Sequence, residues 1–83
     1  MTLPSQPVTL TVQQIEELNS GLSQARHDIN NQLALILAAT ELLRSRPQMA
    51  ERMIATLGEQ PPKITEALAR YSAAFEKALG ITR

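Results

Sequence analysis

His27 is the only histidine in the chain, and it heads a polar cluster, His27-Asp28-Ile29-Asn30-Asn31, that runs straight into an apolar stretch. A neutral imidazole is a competent nucleophile near pH 7, because one ring nitrogen can attack while the other holds a proton or a hydrogen bond. Phosphoryl transfer suits such a group. On a helix turning about 100° per residue, His27 projects about 180° from the side shared by Ala25 and Ile29, so the ring is expected to face solvent. Asp28 follows at once and could orient or deprotonate the ring. Asn31, one turn on and about 40° away, could hold a phosphoryl oxygen or a water. Asp and Asn each cost a helix roughly 0.6 kcal/mol against Ala, so three of them in one turn break a local rule at a cost of about 1–2 kcal/mol and mark a candidate site. The plainer alternative is a solvated helix face. Metal binding fits less well, since His27 and Asp28 diverge by about 100° and a cation would need ligands from other chains.

The elements that must position this cluster are helices. Thr11 and Gln14 make the Thr-x-x-Gln form of a capping box, with Leu10 placed to staple onto Ile15, so a first helix is expected from Val12. Ile15, Leu18, Leu22, Ala25 and Ile29 then alternate spacings of three and four, the seam of a helix packed in a bundle. After Ile29 the pattern favours Leu33 over Gln32, followed by Ile36, Thr40 and Leu43, which predicts a stutter just below His27. The apolar phase runs through the weak point Asn19-Ser20-Gly21, so one long helix is expected over 12–45. Arg44 to Pro47 reads as a turn. The second helix is expected over about 47–79 with its seam at Ala50, Ile54, Leu57, Pro61, Ile64, Leu68, Tyr71, Phe75 and Ala78. Pro61 and Pro62 predict a kink or an interruption near 58–62, with the two pieces nearly collinear because the phase is preserved. Residues 1–11 read as an extended or disordered lead-in, and Gly80 as a stop before a frayed 80–83.

The expected fold class is therefore all-α, an antiparallel helical hairpin over residues 12–79. Each helix carries a broad apolar face, and a lone hairpin leaves part of it wet, so a homodimeric four-helix bundle is expected. With 83 residues, 43% of them hydrophobic, there is one domain at most, near the lower size limit for an independent core. No cysteine is present, which excludes disulfides and thiolate metal sites. Net charge is zero, with a balance of −3 over residues 1–43 (one Arg, four acids) and +3 over 44–83 (seven bases, four acids). Neither half is basic enough to suggest nucleic acid as a partner. The longest apolar run, Leu33 to Ala39, is far shorter than the roughly 18 residues a membrane span needs, and the N-terminus lacks the features of a secretory signal. A cytoplasmic location is the expectation.

His27-Asp28-x-Asn30-Asn31-x-Leu33, followed by an apolar run ending in Glu41-Leu42-Leu43, resembles the H-box of the dimerisation and histidine-phosphotransfer domain of two-component sensor histidine kinases. The motif spans 17 residues, and the expected hairpin extends the resemblance to roughly residues 12–79. It implies that His27 is the phospho-accepting residue, that Asp28 is the adjacent acid assisting the kinase step, and that Asn31 is the polar residue that helps position water for dephosphorylation. Ala34 and Ala38 lie within about 20° of the histidine's direction, so a smooth strip descends from the site to Glu41. In the family a receiver domain docks below the histidine, which implies Asn30, Ala34, Ala38 and Glu41 as partner-docking residues.

Family kinases carry an ATP-binding domain after the hairpin, with an Asn-rich box and a Gly-rich lid. These 83 residues, with three glycines, hold neither motif, so the chain alone is not expected to bind ATP or to phosphorylate itself. ATP would enter only through a separate kinase domain, and Mg²⁺ would sit on a partner receiver domain. The expectation is a phosphotransfer module, either a stand-alone phosphotransferase or a piece of a larger kinase. The alternative is a non-catalytic helical dimer acting as adaptor or antagonist of a histidine kinase or response regulator.

Overall fold

A computed structural model describes residues 3–80, and the expected fraying of residues 81–83 lies outside them. Residues 3–10 carry no helix or strand. Thr11 then caps the first helix, α1 (Val12–Ser45): Gln14 N donates to Thr11 Oγ1 at 3.0 Å, and Thr11 N donates to Gln14 Oε1 at 2.8 Å. Both halves of the capping box are made, which satisfies two amides that a helix start leaves orphaned. At the other end Arg46 N donates back to Leu42 O at 2.8 Å. Pro47 opens a single 3₁₀ turn, Pro47–Met49, and the second helix, α2, runs Ala50–Leu79. Gly80, at φ +68°, ends it by donating to the carbonyls of Glu76 and Lys77, a left-handed cap that a residue without Cβ adopts at no steric cost.

Two expectations about α2 are corrected. Its α-helix begins at Ala50, because the proline-led turn takes the tighter 3₁₀ form first. Of the two alternatives expected at 58–62, the interruption is absent: both prolines lie inside one continuous helix, because a long helix can lose two backbone hydrogen bonds without ending.

The helices pack antiparallel, with Ala25 facing Ala67 across a shared groove and Gln14 facing Ala78 in the same register. The α1 seam is Leu18, Leu22, Ala25, Ile29, Gln32, Ile36, Ala39 and Leu43, all buried or half-buried. This is a heptad that never breaks step, so the expected stutter is absent. Gln32 occupies the slot assigned to Leu33, and Leu33 stands out, 51% exposed. Ala39 likewise takes the slot assigned to Thr40, and Ile15, expected in the seam, is 54% exposed; the regular heptad fixes the helix's rotation against one leucine's preference. In α2 the seam is Ala50, Met53, Leu57, Gln60, Ile64, Ala67 and Tyr71, so Ala50, Leu57, Ile64 and Tyr71 are placed as expected. Met53, Gln60 and Ala67 replace Ile54, Pro61 and Leu68. Small residues decide this choice by letting the axes approach: a Cβ on Gly21 would stand 3.3 Å from the Tyr71 ring.

The result is a single layer of two helices, 57 × 24 × 12 Å. Its radius of gyration is 17.9 Å, where a compact chain of this length would give about 12 Å. The surface, 6362 Å², exceeds by roughly 1,500 Å² what a compact monomer of 9.1 kDa exposes. Part of that surplus belongs to the extended residues 3–10. The rest belongs to a layer with no second layer on it.

Candidate functional site

His27 lies in the middle third of α1 and is exposed, on the side turned away from α2. Seam residues Ala25 and Ile29 point at the partner helix, and the 100° step carries His27 to the opposite side. Asn31, also exposed, brings its Nδ2 to 3.3 Å from His27 Nε2. With the amide nitrogen donating, the contact fits the tautomer that carries its proton on Nδ1 and its lone pair on Nε2.

Asp28 is placed differently from the expectation that it serves the ring. It sits half-buried at the edge of the helix interface. Its Oδ1 accepts from Gln24 Nε2 at 2.9 Å, and its Oδ2 lies 3.6 Å from Arg70 Nη1 on α2. Arg70 in turn holds Glu66 at 3.6 Å. The carboxylate thus ties α1 to α2 instead of contacting its neighbour. Asn30, Ala34, Ala38 and Glu41 are all exposed, and they continue the outward side of α1 below His27. At the foot of that strip Glu41 pairs with Arg44 at 3.8 Å, a pair within one helix turn.

The two sides of the layer differ. Relative to the Ala25/Ala67 contact, Asp28 on α1 and Arg70 on α2 lie about 60° to one side of the seam, where they meet. Leu22, Ile29 and Leu33 lie about 40–80° to the other side of α1, and Leu68 about 100° to the other side of α2. Because Asp28 and Arg70 share a side, the apolar residues share the opposite one. Ile54, Pro61, Leu68 and Phe75, at strict seven-residue spacing, form an exposed apolar row there, with Ile54 62% and Leu68 52% exposed. His27 belongs to neither side, being at the outer edge of the layer.

Compared with protein-family models, curated proteins and solved structures, the chain matches none. What the site can do therefore rests on its own chemistry. Among the described residues no cluster of three or more His, Asp or Glu side chains could hold a metal ion. No helix of the described chain is long and apolar enough to cross a membrane.

Sequence reasoning missed Gln24, Arg70 and the buried pair Gln32 and Gln60. Gln24 was findable, four residues before Asp28 on the same side of α1. Arg70 was not, because only the register of two separate helices brings it to Asp28.

Proposed function

We propose that the chain is a histidine-phosphotransfer and dimerisation module of two-component signalling, with His27 as the phospho-accepting residue. One observation carries the reading: a solvent-facing imidazole whose Nε2 is in contact with Asn31, on the outer edge of a two-helix layer. The resemblance of residues 27–43 to the H-box supports it. In the reaction, His27 Nε2 attacks the phosphorus of a receiver's aspartyl phosphate. The N–P bond forms as the P–O bond to the aspartate breaks, and the receiver's carboxylate leaves. Nδ1 keeps its proton throughout, and the reverse step passes the group on. As the ring turns to attack, the Asn31 amide is free to donate to a phosphoryl oxygen. Charge on the moving group is met by the Mg²⁺ that a receiver carries, and ATP enters only through a separate kinase domain. Asn30, Ala34, Ala38 and Glu41 are the proposed docking strip for that receiver, and the cytoplasm is the proposed location.

Homodimerisation is part of the proposal, and the apolar side supports it. Two hairpins laid with the Ile54/Pro61/Leu68/Phe75 rows together make a four-helix bundle. The part of the surplus surface that belongs to the helical layer is the area such a pairing would cover. His27 projects well away from that side, so the bundle leaves it open.

The adaptor reading also has an observation in its favour. Asp28 contacts Gln24 and Arg70 rather than the ring. The test separates the two readings. The purified chain is incubated with a small phosphoramidate and, separately, with phosphorylated receiver domains, and acid-labile label is mapped by mass spectrometry. Label on His27, lost in His27→Gln, is the expected result. Absence of label with every donor, together with unchanged receiver or kinase binding by His27→Gln, rejects phosphotransfer in favour of the adaptor.

A further inference from the structure

Gln60 is the most deeply buried residue of α2, 1% exposed, and its Oε1 has no hydrogen-bond partner. Its Nε2 is spent on its own helix, donating to Thr56 O at 2.8 Å. On α1, Gln32 Oε1 is buried and unpartnered as well. The two residues belong to one layer. Ala25 and Ala67 face each other, and a seven-residue step along each antiparallel helix, forward on α1 and back on α2, leads to Gln32 and Gln60. The centre of the hairpin therefore carries two buried carbonyl oxygens without donors.

The backbone is weakened at the same level. Pro61 and Pro62 have no amide hydrogen, so the carbonyls of Leu57 and Gly58 lose the donors that the fourth residue on would supply. Gly58 adds a flexible position that packing does not require, since no atom lies within 4 Å of where its Cβ would be. Opening the helices here would hydrate the two glutamine oxygens, at a level where α2 is already short of two backbone hydrogen bonds. An equal opening at the Ala25/Ala67 layer would recover no such groups.

We infer that the Gln32/Gln60 layer, with the segment Gly58–Pro62, is a hinge at which α2 opens from α1 while the segments on either side stay packed. The hinge lies between two parts of the proposed site. His27 is five residues before Gln32, on the side of the Gly21/Tyr71 contact, and the strip from Ala34 to Glu41 lies beyond it, toward the turn. Opening at this layer changes how α2 lies against the part of α1 that carries both, and so the two-helix surface offered to a receiver. That consequence rests on the phosphotransfer reading, whereas the hinge itself does not.

Residue-resolved native-state hydrogen exchange on the full chain tests it. The amides of Gly58–Gln60 and Lys63–Glu66 are expected to be at least about tenfold less protected than those of Arg52–Thr56 and Ala67–Tyr71, after correction for intrinsic rates. The double variants Pro61→Ala/Pro62→Ala and Gln32→Leu/Gln60→Leu should each restore that protection locally, leaving residues 21–28 within about threefold of the parent. Uniform protection along α2 in the parent chain would overturn the hinge, as would equal slowing at every amide in the variants. Uniform protection is also what a satisfied layer would give, with one glutamine amide turned to donate to the other. Where His27 is labelled, the proline variant should keep the label and change the rate of transfer to a receiver by at least about threefold. Loss of labelling in the parent chain rejects the phosphotransfer reading and leaves the exchange result standing.

Discussion

The two sides of the hairpin are built from neighbouring residues and obey opposite rules. On one, Gln24, Asp28, Glu66 and Arg70 are joined by a hydrogen bond and ion pairs that water can reach. On the other, Ile54, Pro61, Leu68 and Phe75 repeat every seven residues with nothing over them. Ala67 and Leu68 show the contrast at its sharpest: the small residue is 4% exposed in the seam, and the large one beside it is 52% exposed. A chain that needed only to close a hairpin would gain by placing the leucine inside. Keeping Ala25 and Ala67 in the seam brings the axes together there and leaves Leu68 outside, as the proposed four-helix bundle requires.

The largest effect should come from charging the apolar side. Leu68→Glu would place two carboxylates in the proposed twofold interface, and self-association should weaken at least about 100-fold, equivalent to about 2.7 kcal/mol, measured by sedimentation equilibrium. A chain that sediments as a monomer before the substitution would refute the four-helix bundle. Moving bulk into the seam should cost less. Ala67→Leu should overpack the close approach and lower stability by about 1–3 kcal/mol in denaturant unfolding, compared at one fixed protein concentration. A neutral result would mean that the helices have room to separate. The smallest effect belongs to the polar side, where Arg70→Ala should change stability by less than about 0.5 kcal/mol, because exposed ion pairs gain little over their hydrated partners. If Arg70→Ala instead raises labelling of His27, the ion pair restrains Asp28 from serving the ring.

Local chemistry was readable before any fold was known. The Thr11/Gln14 box and the Gly80 stop are set by residues a few positions apart, and α1 occupies the expected 12–45. The outward direction of His27 follows from the helical period alone. The seam was only half readable. Hydrophobicity selected Leu33, Ile54 and Leu68, whereas the folded hairpin buries Met53, Gln60 and Ala67 and half-buries Gln32. The sequence sums apolar preference over both packing partners a helix could have. It carries no label saying which apolar row meets the helix in the same chain.

The sequence by itself thus determined the two helices, their caps and the solvent-facing imidazole, because each depends on contacts within a turn or two of one helix. Tertiary structure alone decided that Asp28 binds Arg70 and that two glutamine carbonyls share the centre of the hairpin. It also decided that Ile54 and Leu68 of α2 stay outside. All three depend on the register and separation of two helices, and those are set by the sum of small contacts along the whole seam, to which no single residue holds the key.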